Sequence, residues 1–240
     1  MLFLRFKIRN VVKKQTIALL VILAVLLIDQ VVKIYVKTDI PYGDGFDILG
    51  LSWAKIHFVE NEGMAFGISF GGLTGKYILS VFRIIMTAIM IYILHTIIKQ
   101  GESTRLVIFF SLVIAGAIGN SVDGLFYGMI FSESYYHGPL AVMFPPEGGY
   151  GSFLTGKVVD MLYFPMIDTV LPDWIPVWGG QPFEFFKPVF NIADSAITVG
   201  VASILLFERS FFMSAVPQKE EKSESVEEVE VGKGSDSVGS

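Results

Sequence analysis

Two short segments repeat one chemical pattern, Asn120-Ser121-Val122-Asp123 and Asn191-Ile192-Ala193-Asp194. An amide and a carboxylic acid three residues apart share a helix face. The Asn can hold its neighbouring carboxylate and still offer a donor to another group. Polar hydrogen bonds between membrane helices explain one such pair without any further role. Two pairs, at the end of one apolar run and the start of another, point instead to a shared site. A third acid, Asp29, interrupts a further apolar run, with Lys33 four residues later. Acid first is the better order for an i,i+4 pair, and the pair reads as mainly structural. Arg83 lies about one and a half turns inside an apolar run. It either snorkels to the boundary or supplies positive charge to the site. Carboxylates at membrane depth are costly and usually face a cavity or a partner.

The elements that must position these residues follow from composition. Hydrophobic residues make up 52% of the 240, charged residues 17%, and three His and no Cys are present. A soluble domain carries about 25% charged residues. Seven acids and three bases crowd into residues 217–240, so the body is poorer still in charge. A disordered acidic tail is expected there, behind a membrane domain over residues 1–216. The near-neutral body excludes a nucleic-acid surface. The absence of Cys excludes disulfides, thiolate metal sites and a Cys nucleophile. Three scattered His make a zinc site implausible.

Four apolar runs approach the ~20 residues of a spanning helix. They are Thr16 to about Val36, Tyr77–Ile98, Leu106–Val122 and Pro188–Phe207. The expected fold is an all-α membrane protein with four transmembrane helices and both termini cytoplasmic. Five bases and no acid within residues 1–28 put the N-terminus inside. The first run ends Ile28-Asp29-Gln30 with no small-x-small site, so it reads as a retained helix rather than a cleaved signal. Asp29 then lies ~10 Å, and Asp194 ~9 Å, from the outer helix ends. Asn120 and Asp123 close the third run at the same level. Of the two outer loops, 37–76 has strand character over Phe46–Glu60 and predicts a small extracytoplasmic β-rich element. The second, 124–187, is long and rich in Pro, Gly and aromatics, and its Trp174 and Trp178 suit a membrane interface. Gly67-Ile68-Ser69-Phe70-Gly71 matches a nucleophile elbow but lacks the strand-to-helix context and a placed His.

Read together, IDQVVK at 28–33, NEGMAFG at 61–67, GAIGNSVD at 116–123, VVD at 158–160 and FNIADSAITVG at 190–200 resemble the lipoprotein signal peptidase (signal peptidase II) family. The five blocks occur in the family's order on the matching helix ends. The resemblance implies an intramembrane aspartyl endopeptidase of the bacterial cytoplasmic membrane, with its active site on the extracytoplasmic side. It implies a catalytic pair Asp160 and Asp194, whereas pattern alone pairs Asp123 with Asp194. Asn61, Gly63 and Asn191 match positions lining the substrate pocket, and Asn120, Asp123, Asp29 and Lys33 support the site. The implied substrate is a diacylglyceryl-modified prolipoprotein, cut on the N-terminal side of its lipidated Cys. Membrane lipid is the other partner, a monomer is expected, and no metal or cofactor is implied. The family usually carries Arg after the Asp of G-N-x-x-D and Phe after that of V-V-D; here Gly124 and Met161 stand there. Arg83 and Lys157 are the candidates to replace that Arg. A proton-coupled transporter also uses intramembrane carboxylates. It needs polar groups continuing to the inner face, which the third and fourth runs lack below Gly116 and Thr198.

Overall fold

A computed structural model describes residues 2–62, 72–185 and 187–208. Helix α1 runs unbroken over Leu2–Asp39 because no Gly or Pro interrupts it, and Pro41 prevents its continuation. Helix α2, Gly72–Gln100, stops at Gly101, whose φ of 85° suits the left-handed cap position. Helix α3, Thr104–Val122, starts on a Ser103 N-cap that accepts from the Leu106 N–H. A π-helical turn, Asp123–Tyr127, and one α-turn, α4 (Gly128–Ile130), prolong it. Helix α5 covers Ile192–Phe207. Among the described residues, three segments are long and apolar enough to cross a membrane: Asn10–Asp39, Gly72–Gln100 and Thr104–Ile130. Helix α5 is apolar but shorter, 16 residues or ~24 Å.

Polar contacts gather three ends of this bundle. The Lys14 ammonium donates to the Gly101 carbonyl at 3.0 Å and to that of Glu102. Glu208 accepts from Ser103 Oγ at 3.1 Å and pairs with Arg105 at 3.3 Å. Helices α3 and α5 approach closely because glycine faces backbone. A Cβ at Gly116 would run into the Ala193 carbonyl, and one at Gly200 would come within 2.8 Å of the Phe109 carbonyl. Close approach through small residues is the usual packing mode of membrane helices.

Strands β1 (Gly45–Asp47), β2 (Lys55–Asn61), β3 (Val158–Tyr163) and β6 (Val189–Phe190) form an antiparallel sheet in the order β1-β2-β3-β6. Strands β4 (Ile167–Val170) and β5 (Pro182–Phe185) pair separately. Phe58 of β2 and Val159 and Met161 of β3 pack with Val36 of α1, with Ile40 just after it, and with Tyr127 and Phe131. This core fastens the sheet to the end of the helix bundle.

Several expectations need correction. Asp160 does not sit in an irregular connection; it lies on β3 opposite Val59. A short strand whose partner is about a hundred residues earlier carries little local signal. The second outer loop supplies β3, so the β element is not confined to the first loop. The expected strand Phe46–Glu60 is broken by a 3₁₀ turn at Ile48–Gly50, where Leu49 has a φ of 53°. The fourth apolar run becomes helical only at Ile192, because Val189–Phe190 pairs with β3 first. Asp194 therefore stands in the first turn of α5 instead of six residues inside a span.

Candidate active site

Asn191 is the N-cap of α5. Its side-chain oxygen accepts from the Asp194 N–H at 2.9 Å, and its own N–H donates to Asp194 Oδ2 at 3.3 Å. This reciprocal capping box satisfies orphan donors of the helix end and holds the Asp194 carboxylate against the cap. The Asn191 amide is then free of the box on its nitrogen side. Nδ2 donates to Asp160 Oδ1 at 2.7 Å and to Asn120 Oδ1 at 3.0 Å. One fully buried residue thus joins two carboxyls, one from a strand and one from a helix start.

Each carboxyl has a second holder. Asn61, near the end of β2, donates to Asp160 Oδ2. The β2–β3 register pairs Asp160 with Val59, so Asn61, two residues on, projects to the same face. Asn120 Nδ2 donates to Asp194 Oδ1 at 2.7 Å. Asp160 is 2% exposed, while Asp194 is half-buried. Burial pushes the Asp160 carboxyl up to about 7, with the nearby Asp194 charge adding to the rise. The hydrogen bonds from Asn191 and Asn61 and the charge of Lys33 oppose that rise. Two carboxyls that share a neighbourhood do not both ionise readily.

Behind this pair lies a buried ionic hub. Lys33 Nζ is 3.0 Å from Asp29, 2.9 Å from Asp123 and 3.0 Å from Asn120 Oδ1. Asp29 caps α5 a second time by accepting from the Ala193 N–H at 2.9 Å. Asp123 accepts from the Val159 N–H at 3.2 Å, which fastens the strand of Asp160 to α3. Gln30 donates to Asp123 at 3.0 Å and accepts from the Tyr127 hydroxyl at 3.1 Å. The expected Asp29–Lys33 pair is present, but it belongs to a network linking α1, α3, β3 and α5. Gln30 and Tyr127 escaped the sequence reading because neither residue type is unusual at a membrane-helix end. The capping box, by contrast, was legible: Asn followed three residues later by an acid, before an apolar run.

Asp123 is not placed as the partner of Asp194. It is committed to Lys33, Gln30 and a backbone N–H, while Asp160 meets Asn191. Arg83 turns toward the site instead of the boundary. Its Nη1 lies 3.5 Å from the Asn120 carbonyl and 3.6 Å from where a Cβ at Gly124 would stand. Lys157 is engaged elsewhere, with Glu133 and with Glu60 at 3.9 Å. Gly63 and the 67–71 segment fall outside the described residues. Among the described residues no group of three His, Cys, Asp or Glu is arranged to hold a metal ion.

This arrangement has relatives. A family model for signal peptidase (SPase) II matches residues 21–211. A lipoprotein signal peptidase of Porphyromonas gingivalis is 48% identical over 194 residues, 80% of this chain and 82% of that protein. One of Amoebophilus asiaticus is 36% identical over 201 residues, covering 82% and 80%. A bacterial membrane enzyme solved by the in meso method at 2.3 Å resolution is similar in fold, with a TM-score of 0.50 at 22% identity over 85% of this chain and 93% of that one. The matched stretch contains every side chain of the buried cluster described above, and the chain belongs to the signal peptidase II family.

Proposed function

We propose that this protein is an aspartyl endopeptidase that removes signal peptides from diacylglyceryl-modified prolipoproteins, cutting N-terminal to the lipidated Cys. Asp160 and Asp194 form the dyad. The observation that carries this reading is Asn191, whose side chain binds the carboxyl of Asp160 and whose backbone N–H binds that of Asp194. The pair titrates as a unit and holds one proton near neutrality. The ionised member removes a proton from water as the water oxygen attacks the scissile carbonyl. The protonated member donates to the carbonyl oxygen. Collapse of the tetrahedral intermediate breaks the C–N bond, and the departing Cys amine takes a proton from the dyad. Asn61 and Asn120 keep the carboxyls from rotating as charge moves, and the Lys33 hub holds the frame. Gly63 matches a substrate-pocket position of the family. No metal or cofactor takes part.

In the membrane, α1, α2, α3 and α5 are the four spans of one peptidase domain over residues 1–216, with both termini cytoplasmic; the tail 217–240 lies outside the described residues. The dyad faces the extracytoplasmic boundary of the bacterial inner membrane. Acyl chains of the substrate then stay in lipid while the peptide bond reaches the acids. Burial of two chains at ~0.8 kcal/mol per CH₂ supplies ample retention at that depth. The enzyme acts as a monomer. The test is cleavage of a lipid-modified precursor by purified, reconstituted protein. Asp160→Asn and Asp194→Asn each abolish cleavage while retaining a cooperative thermal unfolding transition. Near-normal turnover in either variant refutes the dyad.

A further inference from the structure

Between β3 and β6 the chain makes an excursion, leaving the sheet after Tyr163 and returning at Val189, which pair with each other. The excursion contains the β4–β5 hairpin, whose register runs from Ile167↔Phe185 to Val170↔Pro182. Its 171–181 tip is mostly apolar, with the exposed Asp173 as the one charged side chain there. Trp174 is 80%, Val177 85% and Trp178 61% exposed at the tip. Phe183 and Phe185, alternate residues of β5 and therefore on one face, are exposed as well. No Lys, Arg or His occurs from Val158 to Phe186. A two-stranded ribbon alone is marginal in water, and three large apolar side chains at one solvated tip are costly.

The attachment points indicate what covers this surface. The return strand β6 ends one residue before Asn191, so the hairpin is fastened to the N-terminal end of an apolar helix. Aromatic rings continue the surface back to that point. Phe164 lies 5.6 Å from Phe190 and 6.4 Å from the exposed Trp53, ring centre to ring centre. These rings line the chain's route between the sheet and the start of α5, and Trp is the residue that favours the membrane–water interface. We infer that the 171–181 tip of the β4–β5 hairpin seats in the headgroup–acyl boundary of the bilayer, a lipid anchor inserted between the two dyad acids. This rests on the proposed placement of the α5 N-terminus at the outer boundary. Anchoring there fixes the depth of β3 and α5, and so of Asp160 and Asp194 together.

The chain has three Trp and no Cys, which makes the test direct. Trp53→Phe leaves Trp174 and Trp178 as the emitters in protein reconstituted into phosphatidylcholine–phosphatidylglycerol vesicles without substrate. Lipids brominated in the upper acyl chain should quench that emission about twofold, as for other interfacial Trp, while aqueous acrylamide quenches little. Trp53→Phe/Trp174→Ser should keep the effect through Trp178. Strong acrylamide quenching with no response to brominated lipid overturns the anchor. So does lipid quenching that appears only on adding a lipopeptide, or only at high protein-to-lipid ratio, since the tip would then cover substrate or a second copy. Labelling of Glu147→Cys by an impermeant maleimide reports separately on which face carries the outer loops, so a failure of that placement is distinguished from a failure of the hairpin.

Discussion

Asp160 is the residue whose environment is most demanding. Its carboxyl rises from an ordinary 3.8 to about 7. Between about pH 4 and pH 7 the folded chain therefore holds a proton that the unfolded chain has released, and stability must fall as pH rises through that window. Asp160→Asn removes the titration. The decline in melting temperature from pH 4 to pH 7 should flatten in this variant, as followed by thermal unfolding in detergent across that range. The alkaline limb of kcat/KM for the wild-type enzyme should fall near the same pH, since the free dyad loses its shared proton there. Lys33 makes a second prediction. It is fully buried and touches two buried acids. Lys33→Met leaves Asp29 and Asp123 without their counter-charge and should destabilise by about 3–5 kcal/mol, read as a lowered midpoint in denaturant unfolding.

At the scale of elements, the start of α5 carries two duties that substitution can separate. Asn191 caps the helix through its oxygen and binds Asp160 and Asn120 through its nitrogen. Serine is an equally good N-cap, whereas alanine costs ~1 kcal/mol. Asn191→Ser should keep the cap, and so about 1 kcal/mol more stability than Asn191→Ala, yet lower kcat by at least about tenfold, since a buried hydrogen bond to a charged group contributes ~1.5–3 kcal/mol. Asn191→Ala should lose both stability and activity. Equal activity in the Ser variant and the wild type would show that the cap alone matters. The apolar runs of α1, α2 and α3 and the Asn/Asp pairs at the end of α3 and the start of α5 were readable because their periods and caps are local. Strand β3 was not: Val158-Val159-Asp160 is too short to show alternation, and its pairing with β2 crosses nearly a hundred residues.

For the whole molecule, alternating helix directions follow from contacts that join Lys14 to the Gly101 turn and Arg105 to Glu208. The proposed four-span topology puts these positions together on the cytoplasmic face. Because the chain lacks Cys, single substitutions can read this out in intact cells. Glu147→Cys should react with an impermeant maleimide from outside, and Gly101→Cys only after permeabilisation. Labelling of both from one side would remove the four-span topology.

Composition and order along the chain were enough to establish a membrane protein, the apolar runs, the strand-bearing first loop and the polar blocks at helix ends. These depend on neighbours a few residues apart, where hydrophobic burial and helix capping act. The contacts that each carboxyl makes were set only by tertiary structure. Pattern favoured Asp123 for Asp194, yet Asp123 is held by Lys33, Gln30 and a β3 N–H, while sheet pairing carries Asp160 to Asn191. Long-range strand register and the sharing of one buried lysine among several acids leave no periodic trace in the chain, because they are set by which surfaces fit after the helices have packed.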